Sequence, residues 1–169
     1  ARVTRLYVVC AGTGDAYAVR SDDDGQTWRT ILRICSSFEP ASVPSLTVAP
    51  GNAGATALLA ASVYHGGYLQ ETTNGGATWF AIPDAAHAAP PVQSTFSAPD
   101  YVAISPFAAA SIWTWWDGVL WYSGDGGGHW KAANQGLQDN GDLSRTDVDL
   151  QFLPRPSVAF LRVNGQVYR

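Results

Sequence analysis

The sequence predicts an all-β protein made of repeated units of four short antiparallel strands. One octapeptide motif occurs three times, the hydrophobic pattern around it repeats with it, and aromatic residues make up 12% of the chain against 14% for charged residues. Aromatic and β-branched residues suit half-buried strands. Apolar and polar residues alternate with the period of a strand, which excludes a helical repeat.

The motif reads SDDDGQTW at residues 21–28, TTNGGATW at 72–79 and SGDGGGHW at 123–130. Its third position is Asp23, Asn74 and Asp125, so the copies follow one another at intervals of 51 residues. Equal spacing indicates that each copy belongs to one unit of a structural repeat. The second copy lacks a charge at the third position, and the third copy has His129 where the others have threonine.

Around each motif the apolar runs predict four strands, which we name A, B, C and D from the inside of the unit outward. Strand A ends in proline, as suits a strand end, and strand D begins at the tryptophan of the motif. The predicted ranges are 45–50, 101–106 and 149–154 for strand A, 6–10, 56–61, 111–115 and 158–163 for strand B, and 16–20, 68–71, 119–122 and 166–169 for strand C.

Four-stranded units of about 50 residues cannot bury both faces alone, and radial stacking in a β-propeller buries them. We expect one propeller segment over residues 1–169, with blades near 1–43, 44–98 and 99–146 and a partial blade at 147–169. About three and a half such blades leave edges and apolar faces open, which favours association or aggregation. The pattern therefore predicts further blades in the same or another chain.

Each motif is expected to form the turn between strands C and D. The hydroxyl at the first position and the carboxylate or amide at the third can bind backbone N–H groups, and glycine supplies a positive φ. The consecutive residues Asp22, Asp23 and Asp24 lack the ligand spacing of a calcium loop, so we predict a structural role for the motif. The residues concerned are Ser21, Asp23, Gly25, Thr27, Trp28, Thr72, Asn74, Gly76, Thr78, Trp79, Ser123, Asp125, Gly127, His129 and Trp130.

With these features the motif resembles the Asp-box, or BNR, repeat of sialidases, xyloglucan-active endoglucanases, sortilin-type receptors and the photosystem II assembly factor. The resemblance covers nearly the whole chain and implies a β-propeller, but it implies no single function. For a sialidase it would also imply an arginine triad, a tyrosine and glutamate pair, an acid catalyst and an Arg-Ile-Pro segment. The chain has no Arg-Ile-Pro, and its only glutamates are Glu39 and Glu71, so we expect no complete sialidase.

Three functions stay open. We favour a non-catalytic recognition or scaffolding surface for glycan or protein, in an extracellular or periplasmic setting. The second is a part of a sialidase-like or xyloglucanase-like glycoside hydrolase whose remaining blades lie outside this sequence. In that function Asp84 with Asp117 or Asp142 would supply the carboxyl pair, which needs a separation of about 5 to 10 Å. The third is an assembly factor or structural subunit of a larger complex.

Ligand contacts are expected on the face of the B–C and D–A connections, because the longest loops lie there and the Asp boxes occupy the other face. An exposed indole beside a carboxylate suits a sugar ring, as in the sequence Trp115-Trp116-Asp117. Strand alternation offers another interpretation, in which Trp113 and Trp115 pack between blades. The predicted ligand-binding residues are Tyr64, His65, Asp84, Trp115, Trp116, Asp117, Asp142 and Arg145.

The remaining composition narrows the classes of partner. A net charge of −4 argues against a nucleic-acid partner, and no apolar run approaches the roughly 20 residues of a membrane span. We expect no cofactor and no metal, since His65 and His87 lack a third ligand at a metal-binding spacing. Cys10 and Cys35 could form a disulfide, stay free or belong to a larger set. Free thiols are favoured because their strands would not be neighbours.

Overall fold

The computed structural model describes residues 5–11, 15–35, 45–49, 57–61, 68–82, 101–116, 118–137, 148–153, 159–163 and 165–169. Every regular element among these residues is a β-strand. Their strands pair only with antiparallel neighbours and form four sheets. This confirms the predicted all-β class with antiparallel sheets.

Within each sheet, strands that follow one another in the chain lie side by side. The first sheet contains β1 (Leu6–Ala11), β2 (Asp15–Ser21) and β3 (Arg29–Cys35). The second contains β4 (Ser45–Val48), β5 (Ala57–Ala61), β6 (Tyr68–Thr72) and β7 (Phe80–Ala81). The third contains β8 (Tyr101–Ser105), β9 (Ala108–Trp116), β10 (Val119–Ser123) and β11 (Lys131–Ala132). The fourth contains β12 (Val148–Phe152), β13 (Ala159–Val163) and β14 (Gln166–Tyr168).

These strands overlap the ranges that the repeat pattern predicts for strands A to D, although β9 begins at Ala108, three residues before the predicted strand B. Strand D begins at Arg29, Phe80 and Lys131, one residue later than predicted. The tryptophan before each of them still belongs to the turn, because the ladder between strands C and D begins only after it.

The strands in the A position lie next to one another, which orients the sheets. Oγ of Ser45 on β4 accepts a hydrogen bond of 3.2 Å from the backbone N–H of Val102 on β8. The hydroxyl of Tyr101 on β8 donates to the carbonyl oxygen of Leu150 on β12, over 3.3 Å. Since the second, third and fourth sheets meet through these strands, strand A lies at their inner edge. This supports the radial stacking of a β-propeller.

Apolar side chains fill the spaces between consecutive sheets. Between the second and third sheets the buried cluster is Ala49, Leu69, Ile82, Val102, Ile104 and Ile112, with Trp130 packed against it. Between the third and fourth it is Ala103, Trp115, Leu120, Leu150, Leu161 and Val163. At about 25 cal/mol per Å² of apolar surface removed from water, this burial stabilises the stack of sheets.

Several predictions are not decided by the described residues. The blade boundaries and the number of blades in a complete ring stay predictions. Most residues of the predicted D–A connections, which are 35–44, 82–99 and 132–147, lie outside the described ranges. No helix in the described ranges is long and apolar enough to span a bilayer. Cys10 is exposed and free. Strand β2 lies between the strand of Cys10 and the strand of Cys35. The side chain of Cys35 is not among those that the structure describes.

Candidate functional site

The octapeptide motif keeps the name Asp box below, from its resemblance. The first position of each copy is a buried hydroxyl that holds the turn between strands C and D. It accepts a hydrogen bond of 2.8 Å from the backbone N–H of the glycine at the fifth position; the pairs are Gly25 with Ser21, Gly76 with Thr72 and Gly127 with Ser123. The same hydroxyl donates to the side chain at the third position. The hydroxyl at the first position therefore connects the third and fifth positions of the turn by hydrogen bonds.

The third position holds the turn from its other side. Asp23, Asn74 and Asp125 each accept a hydrogen bond at Oδ1 from the backbone N–H of the seventh residue, over 2.8, 2.9 and 2.9 Å respectively. The seventh side chain adds a contact: the Thr27 hydroxyl donates to Asp23 over 2.5 Å, and Nδ1 of His129 lies 2.6 Å from Oδ2 of Asp125. The second and third copies thus keep the turn with different residues.

These hydrogen bonds favour the ionised carboxylates. Those from the side chain and backbone of Thr27 are the main reason that the pKa of Asp23 is lowered from 3.8 to about 2. The side chain of His129 is the main cause of the lowered pKa of Asp125. Both carboxylates are thereby committed to the turns and are unsuited to act as proton donors near neutral pH.

The neighbouring Asp22 has a different set of partners, which are cations. Its carboxylate pairs with the guanidinium groups of Arg5 at 2.7 Å and Arg20 at 2.6 Å. The hydrogen bond from Arg20 is the largest cause of the lowered pKa of Asp22. Arg20 is only 7% exposed and also donates to the carbonyl oxygen of Gly75, in the turn between β6 and β7 of the second sheet. Arg20 and Asp22 therefore support the joint between the first two sheets.

Close packing of glycine on isoleucine connects the Asp boxes to the preceding sheet. A Cβ atom on Gly76 would lie 2.6 Å from Cδ1 of Ile31, and one on Gly127 would collide with Cγ2 of Ile82. Both glycines also have positive φ angles, 89° and 95°, which disfavour other residues. The glycine of the motif is thus required by the turn and by the packing between sheets.

The tryptophans of the motif do not share one environment. The indole N–H of Trp79 donates to the carbonyl oxygen of Ile31 in the preceding sheet, over 3.0 Å. Those of Trp28 and Trp130 donate to the fifth glycine of their own box, and Trp28 is 43% exposed. Trp79 and Trp130 pack with apolar clusters, as predicted for packing between units.

Of the predicted ligand residues, only Trp115 and Trp116 lie in the described ranges. Trp115 is 1% exposed, which leaves no face of its indole open to a sugar ring, and its Nε1 is buried without a hydrogen-bond partner. Trp116 is half-buried at the end of β9, opposite Val119 of β10. Tyr64, His65, Asp84, Asp117, Asp142 and Arg145 lie outside the described residues, so their roles stay predictions.

A groove of about 680 Å³ lies between the third and fourth sheets and is lined mainly by apolar and aromatic side chains. Trp113 and Tyr122 lie on its wall with ring centroids 4.5 Å apart. The wall also includes Phe107 and Tyr168, and the cations Lys131 and Arg169. No carboxylate is among the described residues that line it.

The sequence analysis did not predict this groove, although one signal was present. Trp113 and Trp115 alternate along β9 and both contact the cluster between the third and fourth sheets, as the packing interpretation predicts. Trp113 is only half-buried and lines the groove. How far that interface opens depends on the distance between two sheets, which the spacing of residues along the chain does not encode.

Neither a protein-family model nor a curated protein matches this sequence. Among solved structures it is similar to the GH74 xyloglucanase from Xanthomonas campestris, with a TM-score of 0.63 and 17% identity over 96% of this chain. The GH74 enzyme from Niastella koreensis gives 0.61 and 19% over 96%. YCF48 bound to D1 peptide gives 0.54 and 16% over 97%.

At these identities the likeness concerns the fold and supports a β-propeller. The matched region is 25% of the Xanthomonas chain, 24% of the Niastella chain and 52% of the YCF48 chain. The sequence thus spans about a quarter of each GH74 protein and about half of YCF48.

Proposed function

We propose that this chain is a recognition or scaffolding segment of an Asp-box β-propeller, which binds a glycan or a protein without turning it over. Support comes from the hydrogen bonds of the three Asp boxes. Their hydroxyl, carboxylate and amide groups are used inside the turns between strands C and D. The connections on the opposite face are then the place for ligand contacts, on a rigid antiparallel scaffold.

Trp116 is the predicted ligand residue on this face that the structure describes and that is not fully buried. It ends β9 immediately before the turn to β10, and it stands next to Trp115, whose burial anchors the strand in the core. A half-buried indole at the end of an anchored strand offers a large contact surface at low entropic cost. We assign Trp116, together with Asp117, the next residue in the sequence, as the first contact for a ligand.

The experiment compares binding and turnover in the same preparation. Xyloglucan oligosaccharides and the D1 peptide are titrated calorimetrically, and release of reducing ends from xyloglucan is measured in parallel. We expect binding of one ligand class without product release. Binding should weaken in Trp116→Ala and stay unchanged in Phe80→Ala, whose ring is exposed on β7. Circular dichroism confirms that both variants are folded.

Two other functions have specific support. A part of a glycoside hydrolase is favoured by the likeness to two GH74 proteins, and Glu71, whose pKa is raised by burial, is an acid to include in its test. Release of reducing ends that depends on Asp84, Asp117, Asp142 or Glu71 would replace our proposal with this function. An assembly factor is favoured by the likeness to YCF48 and would be indicated by binding of the D1 peptide alone.

A further inference from the structure

The residue immediately before each Asp box faces the following sheet. Arg20 precedes the first box and Glu71 precedes the second. Leu69, two residues before Glu71 on β6, belongs to the buried cluster between the second and third sheets. Alternate residues of a strand share a face, so Glu71 faces the third sheet as well. Arg20 and Glu71 therefore occupy equivalent places, one in the joint between the first and second sheets and the other in the joint between the second and third.

In the first of these joints, a guanidinium group lies between a carboxylate and a carbonyl oxygen. Arg20 pairs with Asp22 at 2.6 Å and donates to the carbonyl oxygen of Gly75, the fourth residue of the second box. Arg29, opposite Arg20 in the strand register, places a second cation 3.5 Å from Asp22. Both kinds of acceptor at this joint thus have a cationic partner.

The next joint has a carboxylate at this place but no cation beside it. Glu71 is half-buried, and burial raises the pKa of its carboxyl above the ordinary 4.5, whereas a neighbouring cation would lower that pKa. Among the residues that the structure describes, none donates to this carboxylate or forms an ion pair with it. Its partner in the strand register is Phe80, which carries no charge. The described residues therefore leave a partly buried carboxylate unpaired.

The carbonyl oxygen that corresponds to that of Gly75 belongs to Gly126, the fourth residue of the third box. The φ angles are 71° at Gly75 and 75° at Gly126, and the hydrogen bonds of the two turns are the same. A Cβ atom on Gly75 would lie 2.6 Å from Nη1 of Arg20, whereas no described residue other than its chain neighbours comes within 4 Å of a Cβ atom on Gly126. Glu71 and Gly126 therefore border an open space, the second-joint notch, whose counterpart in the preceding joint is filled by the side chain of Arg20.

We propose that the second-joint notch binds a guanidinium group from outside the chain, carried by an arginine side chain of a partner polypeptide. The group donates to the carboxylate of Glu71 and to the carbonyl oxygen of Gly126, as Arg20 donates to a carboxylate and a carbonyl oxygen in the preceding joint. A guanidinium group has a rigid planar fork of N–H donors that serves two acceptors at once, which selects it over the compact ammonium group of lysine. The net charge of −4 favours the approach of a cationic partner.

The second-joint notch is distinct from the face proposed for Trp116. Glu71 lies near the end of β6, beside the turn between strands C and D, whereas Trp116 ends β9 before the turn between strands B and C. Both sheets that border the notch contain four strands. Loss of binding at one place therefore leaves the other unaffected, and the two proposals can be refuted separately.

The test titrates the chain with N-acetyl-arginine amide and follows the backbone amide resonances by nuclear magnetic resonance. N-acetyl-citrulline amide, which has nearly the same shape without the charge, and N-acetyl-lysine amide are the comparison probes. We expect the arginine probe to bind with a dissociation constant in the millimolar range and to shift the resonances of Glu71 and Gly126. The lysine probe should bind roughly tenfold more weakly, and the citrulline probe should not bind. Equal affinity of the arginine and lysine probes, or shifts confined to other residues, overturns the proposal.

Two neighbouring positions of β6 separate the effect of this carboxylate from that of net charge. Glu71→Gln should abolish binding of the arginine probe. Adding Gln70→Glu restores the net charge but places the carboxylate on the opposite face of the strand, so the double variant should still not bind. Gln70→Glu alone is the matched control and should bind as the unaltered chain does. Circular dichroism verifies that each variant is folded, and binding by Glu71→Gln or its recovery in the double variant would refute the role of Glu71.

Glu71→Arg tests the equivalence of the two joints from within the chain. The new guanidinium group should reach the carbonyl oxygen of Gly126, as Arg20 reaches that of Gly75, and so fill the second-joint notch. We expect a higher melting temperature and complete loss of binding of the arginine probe. Retention of probe binding in this variant, or a melting temperature that does not rise, contradicts the equivalence on which the proposal rests.

Discussion

Gly127 of the third Asp box packs so closely on Ile82 of the preceding sheet that a Cβ atom on the glycine would collide with Cγ2 of the isoleucine. The relationship repeats one sheet earlier between Gly76 and Ile31. A residue usually explained by its turn conformation is therefore also a packing residue between sheets, and the two requirements can be separated by experiment.

Gly127→Ala should lower the free energy of unfolding by about 3 kcal/mol, because it adds left-handed strain of about 1–2 kcal/mol to overpacking of about 1–3 kcal/mol. Gly126→Ala is the control in the same turn. Its φ of 75° carries the strain, but no heavy atom lies within 4 Å of the added Cβ, so its loss should be near 1 kcal/mol. Urea denaturation measures both, and equal losses would contradict the packing role.

Asp23→Ala should lower the denaturation midpoint clearly, because the backbone N–H and hydroxyl of Thr27 lose their acceptor. Asp23→Asn should have a much smaller effect, since Asn74 makes the corresponding bonds in the second box. Thermal melting followed by circular dichroism compares the two variants. Ligand affinity of the folded protein should be unchanged in both, and its loss at an unaltered melting temperature would show that the box has a binding role.

Acid should weaken the turns of the first and third boxes. The folded-state pKa of Asp23, about 2, lies below its ordinary value of 3.8. The associated stability is therefore present above pH 3.8 and is lost as the pH falls through about 2. The pKa of Asp125 is lowered too, so it acts in the same direction. Between pH 6 and pH 2, the urea midpoint of unfolding should fall less steeply in Asp23→Asn than in the unaltered protein. Identical pH profiles of the two proteins would exclude Asp23 as a source of the acid sensitivity.

Arg20→Leu should destabilise the protein by about 2 kcal/mol, because a charged hydrogen bond to the carbonyl oxygen of Gly75 is lost in a buried setting. Arg29→Leu provides the comparison: Arg29 also approaches Asp22, at 3.5 Å, but its side chain is 61% exposed. Exposed ion pairs contribute little, so its unfolding midpoint should hardly move. Chemical denaturation of the two variants decides whether Arg20 joins the first and second sheets.

The sequence by itself determined the strands, their order and the turns between strands C and D. These features are local: strand alternation has a period of two residues, and the Asp box makes its hydrogen bonds within four residues. Asn74 and His129, which depart from the motif, preserve the turn because their side chains still reach the seventh or third residue. The same pattern predicted that Trp113 and Trp115 lie on one side of β9.

Only the tertiary structure decided which side chains are open to a ligand or a partner. Trp115 is buried while Trp116 beside it is half-buried, and Trp79 donates to the preceding sheet while Trp28 donates to its own box. The groove between the third and fourth sheets is lined by residues far apart in the sequence, Trp113 and Tyr168 among them. Such differences depend on how sheets stack and on which side chain meets which across the interface, and these distances are set by packing of the whole chain.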